Sequence, residues 1–234
     1  MTGSSRPTEA AVADAALAVP VWDLPLRLFH WTLVGLIAFS WWSAENDRIE
    51  WHLWSGLGVM SLLIFRLLWG FFGSSTARFG SFVRGPGAVR EYLSSPRDWR
   101  GIGHSPLGAL SVVALLLLLL VQVSLGLVMS DEDGVVSGPL NRLVSFETAE
   151  RAGELHELLF NVLLALIALH VAAILFYRLV LGKRLTGAMI TGRTLADGGA
   201  EPMRRGKWWA AVLCLLAGIA TTRWIVAGAP PLGT

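Results

Sequence analysis

The chain has 234 residues, room for one or two ordinary domains, but 54% of them are hydrophobic and only 15% charged, with a mean hydropathy of +0.58. A soluble domain carries about 25% charged residues, so this composition excludes a fully water-coated protein and makes lipid the main solvent. The formal net charge of +2 is the small sum of acidic and basic connecting segments that alternate along the chain.

Residues 1–20, MTGSSRPTEAAVADAALAVP, mix small and acidic residues. They lack the apolar core of a signal peptide and read as a disordered cytoplasmic tail. Five apolar runs follow, near 26–44, 51–72, 106–129, 155–181 and 208–228. A span needs roughly 20 residues, and without water in the hydrocarbon each should be a helix. The third run, PLGALSVVALLLLLLVQVSLGLVM, is the clearest. The fifth is interrupted by Arg223, which leaves an interfacial helix as its alternative.

The connections alternate in charge. SAENDRIE, after the first run, is acidic, as is the segment from Ser130 to Glu154 with Asp131, Glu132, Asp133, Glu147, Glu150 and Glu154. The segment after the second run holds Arg78, Arg84, Arg90, Arg97 and Arg100, and that after the fourth holds Lys183, Arg184, Arg193, Arg204, Arg205 and Lys207. Lys and Arg mark the cytoplasmic side. One topology satisfies every connection: N-terminus inside, and C-terminus outside if the fifth run spans. The basic segments are topology signals, so no nucleic-acid partner is expected. Trp41, Trp42, Trp51, Trp69, Trp208 and Trp209 fall near span ends, as an interfacial aromatic belt does. Cys214 is the only cysteine, which excludes an intrachain disulfide, a thiolate zinc cluster and a C-x-x-C-H haem attachment.

The histidines carry the chemistry. His30, His52, His156 and His170 lie within the apolar runs, and His104 opens the third. An ionisable residue inside a membrane is a functional-site hypothesis by default. The alternating topology puts His30 at the inner side, His52 and His156 at the outer side, and His170 deeper. His156 and His170 are fourteen residues apart. Fourteen helical steps rise about 21 Å and fall about 40° short of whole turns, so both rings share one face. Two layers result: His52 with His156 outside, and His30 with His170 inside. Two imidazoles per layer and no thiolate suit a b-type haem. Zinc or copper is the competing reading; Glu154 and Glu157 could complete such a site in the outer layer only. A purely structural role for the histidines is the third reading. Gly35, Gly56 and Gly153 lie near these histidines and could give a macrocycle room.

VWDLPLRLFHW at 21–31, WHLWSGLGVMSLLIFRLLWGFFG at 51–73, GHSPLGAL at 103–110 and LHELLFNVLLALIALHVAAIL at 155–175 together resemble the prokaryotic cytochrome b561 family and the related b-type cytochrome subunits of nickel-iron hydrogenases. The resemblance implies an all-α membrane protein. Its core would be a four-helix bundle over 21–185 holding two b haems, with His30, His52, His156 and His170 as axial ligands. The chain departs from that pattern after 185, where a basic cytoplasmic linker over 186–207 and a fifth transmembrane helix over 208–228 are expected from composition. Arg66, fourteen residues after His52, and His104 are candidate contacts to a haem propionate or a quinone.

The implied function is electron transport in the bacterial inner membrane, between the quinone pool and a c-type cytochrome or other redox subunit at the outer face. An electron-transfer subunit, free or within a homodimer or larger complex, is expected ahead of a self-contained superoxide/quinone oxidoreductase. A non-redox metal or proton transporter is the reading outside that class.

Overall fold

The computed structural model describes residues 17–96, 99, 101–196 and 201–230. Residues 1–16 of the expected tail, and Arg97 and Arg100, lie outside these. In chain order the elements are β1 (Leu17–Pro20), α1 (Leu24–Glu45), α2 (Ile49–Phe72), α3 (Phe79–Phe82), α4 (Pro86–Ser94), α5 (Pro106–Val128), α6 (Phe146–Leu179), α7 (Leu185–Thr191), β2 (Arg193–Ala196) and α8 (Trp208–Val226). Helices α1, α2, α5, α6 and α8 are each long and apolar enough to cross a membrane.

Side-chain caps fix where three of these five begin. Asp23 has an extended backbone and accepts the Leu26 N–H at 2.7 Å, with Pro25 in the first turn of α1. Ser105 does the same for Gly108 at 3.2 Å, ahead of Pro106. Ser145 accepts from Thr148 at 3.3 Å. This last cap starts α6 at Phe146, well before the apolar run near 155. The added turns are amphiphilic, and Arg151 pairs with Glu147 on their exposed side.

Helix α2 is the centre of the bundle. It packs along α1, α5 and α8, whereas α6 packs along α5 and stands off from α1 and α2. The α2–α8 seam is built from small residues, which let backbones approach where apolar surface gains nothing by leaving lipid. A Cβ on Gly218 would lie 2.4 Å from the Ser61 carbonyl. The Thr222 and Ser61 hydroxyls meet at 2.7 Å, and Cys214 is buried beside this seam. The fifth run therefore packs lengthwise as a member of the bundle, which fits a span better than an interfacial helix. Arg223 falls in its last turn, where a cation suits the helix C-terminus and can reach out of the lipid.

The two ends of the bundle differ. At the basic end, Asp23 ties α1 to α2 by accepting Trp69 Nε1–H at 3.1 Å. The Ser75 N–H donates to the Arg204 carbonyl at 2.9 Å, which fastens the approach to α8 onto the exit of α2. Here β1 and β2 pair antiparallel, from Leu17 opposite Ala196 to Pro20 opposite Arg193. Thus the last four residues of the expected tail are a strand. The expected linker contains most of α7 and its partner strand. Gly192, at φ +78°, ends α7, and its carbonyl accepts the N–H groups of Val21 and Trp22. At the acidic end, Arg142 donates to the Gly228 carbonyl at 2.7 Å and ties the loop between α5 and α6 to the end of α8.

Replacing Gly218 by Val forces a side chain into the Ser61 backbone. A loss of about 1–3 kcal/mol is expected, the usual cost of overpacking. Thermal unfolding in mild detergent checks this, and an unchanged midpoint would place α8 elsewhere.

Candidate functional site

Four imidazoles lie in two layers between α1, α2 and α6. In the layer toward the acidic end, the His52 and His156 ring centroids are 6.0 Å apart, with an interplanar angle of 84°. Each ring is held by its Nδ1. His52 Nδ1 is 2.9 Å from the Ser40 carbonyl and 3.2 Å from the Ser40 hydroxyl. His156 Nδ1 is 2.9 Å from the Gln122 carbonyl. A carbonyl only accepts, so Nδ1 carries the hydrogen and Nε2 keeps its lone pair. Fixing one ring nitrogen through its partner is how proteins orient a metal-binding histidine.

In the layer toward the basic end, His170 Nδ1 lies 3.3 Å from the Ser111 hydroxyl. His30 interacts electrostatically with His170, and its own Nδ1 is buried without a partner. Trp31 stands edge-on to His30 at 5.0 Å.

These residues fit a haem. A metal–imidazole bond is about 2 Å long, with the ring centroid roughly 1 Å behind the nitrogen, so two axial imidazoles sharing one iron stand about 6 Å apart. The His52–His156 spacing matches. Among the described residues no three His, Cys, Asp or Glu side chains form a metal-binding group. Glu154 and Glu157 therefore do not complete a zinc-type site around His156. A Cβ on Gly35 or Gly56 would meet nothing within 4 Å; Gly56, one turn after His52, leaves its space on the His52 side of α2, whereas Gly35 is exposed on the outside of α1. Gly153 instead lets the start of α6 rest on the preceding loop, since a Cβ there would lie 3.0 Å from the Ser130 carbonyl.

Arg66 is 2% exposed, and both of its terminal nitrogens lack a hydrogen-bond partner. Its guanidinium carbon sits 4.7 Å from the centre of the Phe79 ring. Asp23, the nearby carboxylate, is used by Leu26 and Trp69. A buried guanidinium with two free donors suits a carboxylate, which is what a haem propionate offers. His104 lies between Trp22, at 4.6 Å, and Phe82, at 4.4 Å, and its Nδ1 is also buried without a partner. Burial, and then the positive charge of Arg66, push the His104 pKa down to about 3. It is a neutral imidazole next to a fixed cation.

Ser40, Ser111, Gln122 and Gly126 complete the histidine environment without having been marked by the sequence. Gln122 also donates its amide to the His156 carbonyl at 2.8 Å. A Cβ on Gly126 would sit 3.0 Å from the His156 ring. Gln122 had a visible signal, as an amide within a leucine run. Ser40 orients His52 chiefly through its backbone, which leaves no trace in residue identity.

The depressed His104 pKa gives a pH dependence. The unfolded chain binds that proton near the ordinary value of 6.5 and the folded protein near 3, so stability rises with pH between them. Thermal stability should fall as pH drops below about 6.5, with a shallower fall in His104→Gln. An anion bound beside Arg66 and His104 opposes the shift, so the slope should be steeper in haem-free protein. Equal slopes in wild type and His104→Gln would remove His104 from this role.

The family model for prokaryotic cytochrome b561 matches residues 21–192, from the start of α1 to the end of α7, including all four layered histidines. No curated protein and no solved structure matches the chain at a significant level. With a match over most of its length, the chain belongs to the prokaryotic cytochrome b561 family, membrane b-type cytochromes of electron transfer.

Proposed function

We propose that this protein carries electrons across the bacterial inner membrane, between the quinone pool and a redox partner at the acidic end, by way of two b haems. The carrying observation is the His52–His156 pair: rings 6.0 Å apart, each committed through Nδ1 to a carbonyl and left with a bare Nε2. His52 and His156 hold one haem, and His30 and His170 the other. Arg66 neutralises a propionate of the second, with His104 beside it. When bound, the haem iron supplies a reversible one-electron couple.

The remaining chemistry belongs to the chain. Two protein imidazoles would hold each haem, and a haem held that way would supply electron transfer rather than oxygen chemistry. The fourteen-residue spacing along α6 separates the layers by about 21 Å, enough for one near each face. The positive-inside rule assigns the basic end to the cytoplasm. The acidic loop around Asp131, Glu132 and Asp133 then faces outward, as a docking surface for a basic c-type cytochrome or other redox subunit.

Haem analysis of the purified protein tests the ligand set. Wild type should hold two b haems per chain, and any of His30→Ala, His52→Ala, His156→Ala or His170→Ala about one or none. Two haems retained in any of these variants, or no b-type absorption in wild type, would overturn it. Docking through the acidic loop should also show in the kinetics. Electron transfer to a basic partner should slow as ionic strength rises from about 0.01 to 0.15 M, because the Debye length shrinks from about 30 to 8 Å.

A further inference from the structure

A groove of about 600 Å³ runs between the end of α2 and the start of α8 at the basic end. Its upper wall is cationic, with Arg78, Arg205 and Lys207, and no Asp or Glu lines it. Its lower wall is apolar and includes Phe72, Trp209 and Leu213. These three are 62%, 49% and 57% exposed and belong to the helices long enough to cross the membrane. The groove thus straddles the level where hydrocarbon meets water.

The cations are delivered there by the fold. The Ser75–Arg204 backbone bond and the packing of Gly206 against the Trp69 ring pin the approach to α8 onto the exit of α2. That brings Arg205 and Lys207 to the same groove as Arg78. Arg78 uses its Nε on the Gly73 carbonyl at 2.9 Å, which leaves its terminal nitrogens for a ligand. Lys207 Nζ lies 5.5 Å from the centre of the Trp209 ring. Among the described residues no carboxylate forms an ion pair with any of the three.

We infer that this groove is a binding site for an anionic phospholipid, with the phosphate on Arg78, Arg205 and Lys207 and an acyl chain along Phe72 and Leu213. Three cations without a counter-charge call for an anion. The apolar wall beneath them calls for a chain continuous with the anion and lying in the bilayer. A free phosphate uses only the first feature, and a quinone, being neutral, only the second. Basic pockets between membrane helices on the cytoplasmic side recognise lipid headgroups on this principle.

Native mass spectrometry of the haem-loaded protein, delipidated in non-ionic detergent and titrated with phosphatidylglycerol or phosphatidylcholine, tests this. Wild type should bind phosphatidylglycerol preferentially. One basic residue near an anionic lipid changes binding about five-fold, so the Arg78→Gln/Arg205→Gln/Lys207→Gln variant should lose roughly 100-fold. Arg205→Gln/Lys207→Gln, which alters only exposed side chains and keeps the Arg78–Gly73 contact, should lose roughly 25-fold. The charge-conserving Arg205→Lys/Lys207→Arg variant should keep the preference. So should Arg90→Gln/Arg178→Gln/Arg184→Gln, which removes three arginines outside the groove. Any of four results would overturn the assignment: equal binding of the two lipids by wild type, a preference surviving in the triple variant, displacement by millimolar inorganic phosphate, or a quinone or second copy of the chain as occupant.

Discussion

In hydrocarbon a polar group without a partner costs several kcal/mol, and the arrangement of this bundle follows from where that rule is met and where it is not. The hydroxyls of Ser61, Ser124, Thr221 and Thr222 bond back to carbonyls four residues earlier in their own helices. His52 and His156 satisfy one nitrogen each on the carbonyl of another helix. Most of the exceptions gather toward the basic end: both terminal nitrogens of Arg66, and Nδ1 of His30 and of His104. A membrane protein that hides this many polar nitrogens without partners is arranged around something that pairs with them, and for the Arg66 guanidinium that something must accept. The two layers therefore differ in kind. One is oriented by the backbone of neighbouring helices, and the other leaves the His30 Nδ1 buried without a partner. In the proposed arrangement the Arg66 cation also lies nearer the second haem, and a nearby positive charge favours the electron-loaded form.

Where the helices stand decides which groups can meet. α2 is flanked by α1, α5 and α8, whereas α6 has α5 as its close neighbour. Across the space between α6 and the α1–α2 pair, side chains make the contacts. His156 reaches His52, and Phe160 lies 6.0 Å from Trp41. The α6 histidines are positioned from the α5 side as well, by the reciprocal Gln122–His156 pair and by Ser111 on His170. This combination holds both α6 rings from the α5 side, as ligands of a planar cofactor between helices need to be held.

Much of this was legible from residue type and spacing. Hydropathy located the five long helices, and the fourteen-residue interval put His156 and His170 on one face at two depths. The unread parts have physical causes. The carbonyls that orient His52 and His156 belong to the backbone, so any residue at position 40 or 122 offers one, and only the helix approach selects which is used. The start of α6 was placed late because hydropathy stops where the amphiphilic turns begin; the cap at Ser145 is what marks it. The β1–β2 ribbon joins segments more than 170 residues apart, and four-residue strands carry too little pattern to announce a partner at that range. Arg66 was readable as a candidate anion contact from its place fourteen residues after His52, but not as a buried one. That its terminal nitrogens find no hydrogen-bond acceptor, while Asp23 accepts from Leu26 and Trp69, depends on how α1 and α2 pack at the basic end.

The fifth helix lies beyond the family match, yet it is tied at both ends and along its middle. Arg204 holds its approach to Ser75 after α2, Gly218 and Thr222 seat it on Ser61, and Gly228 beyond its end is held by Arg142. Its main helical neighbour is α2. α2 carries His52 and Arg66, one group for each layer, on a face turned away from this seam. Any rotation of α2 about its own axis would move both groups at once. A helix clamped along the opposite face by backbone-close contacts resists that rotation more strongly than loops could, because Gly218 leaves no side chain to yield. α8 thus bears on His52 and Arg66 without touching them, through the rotational setting of the helix that carries both.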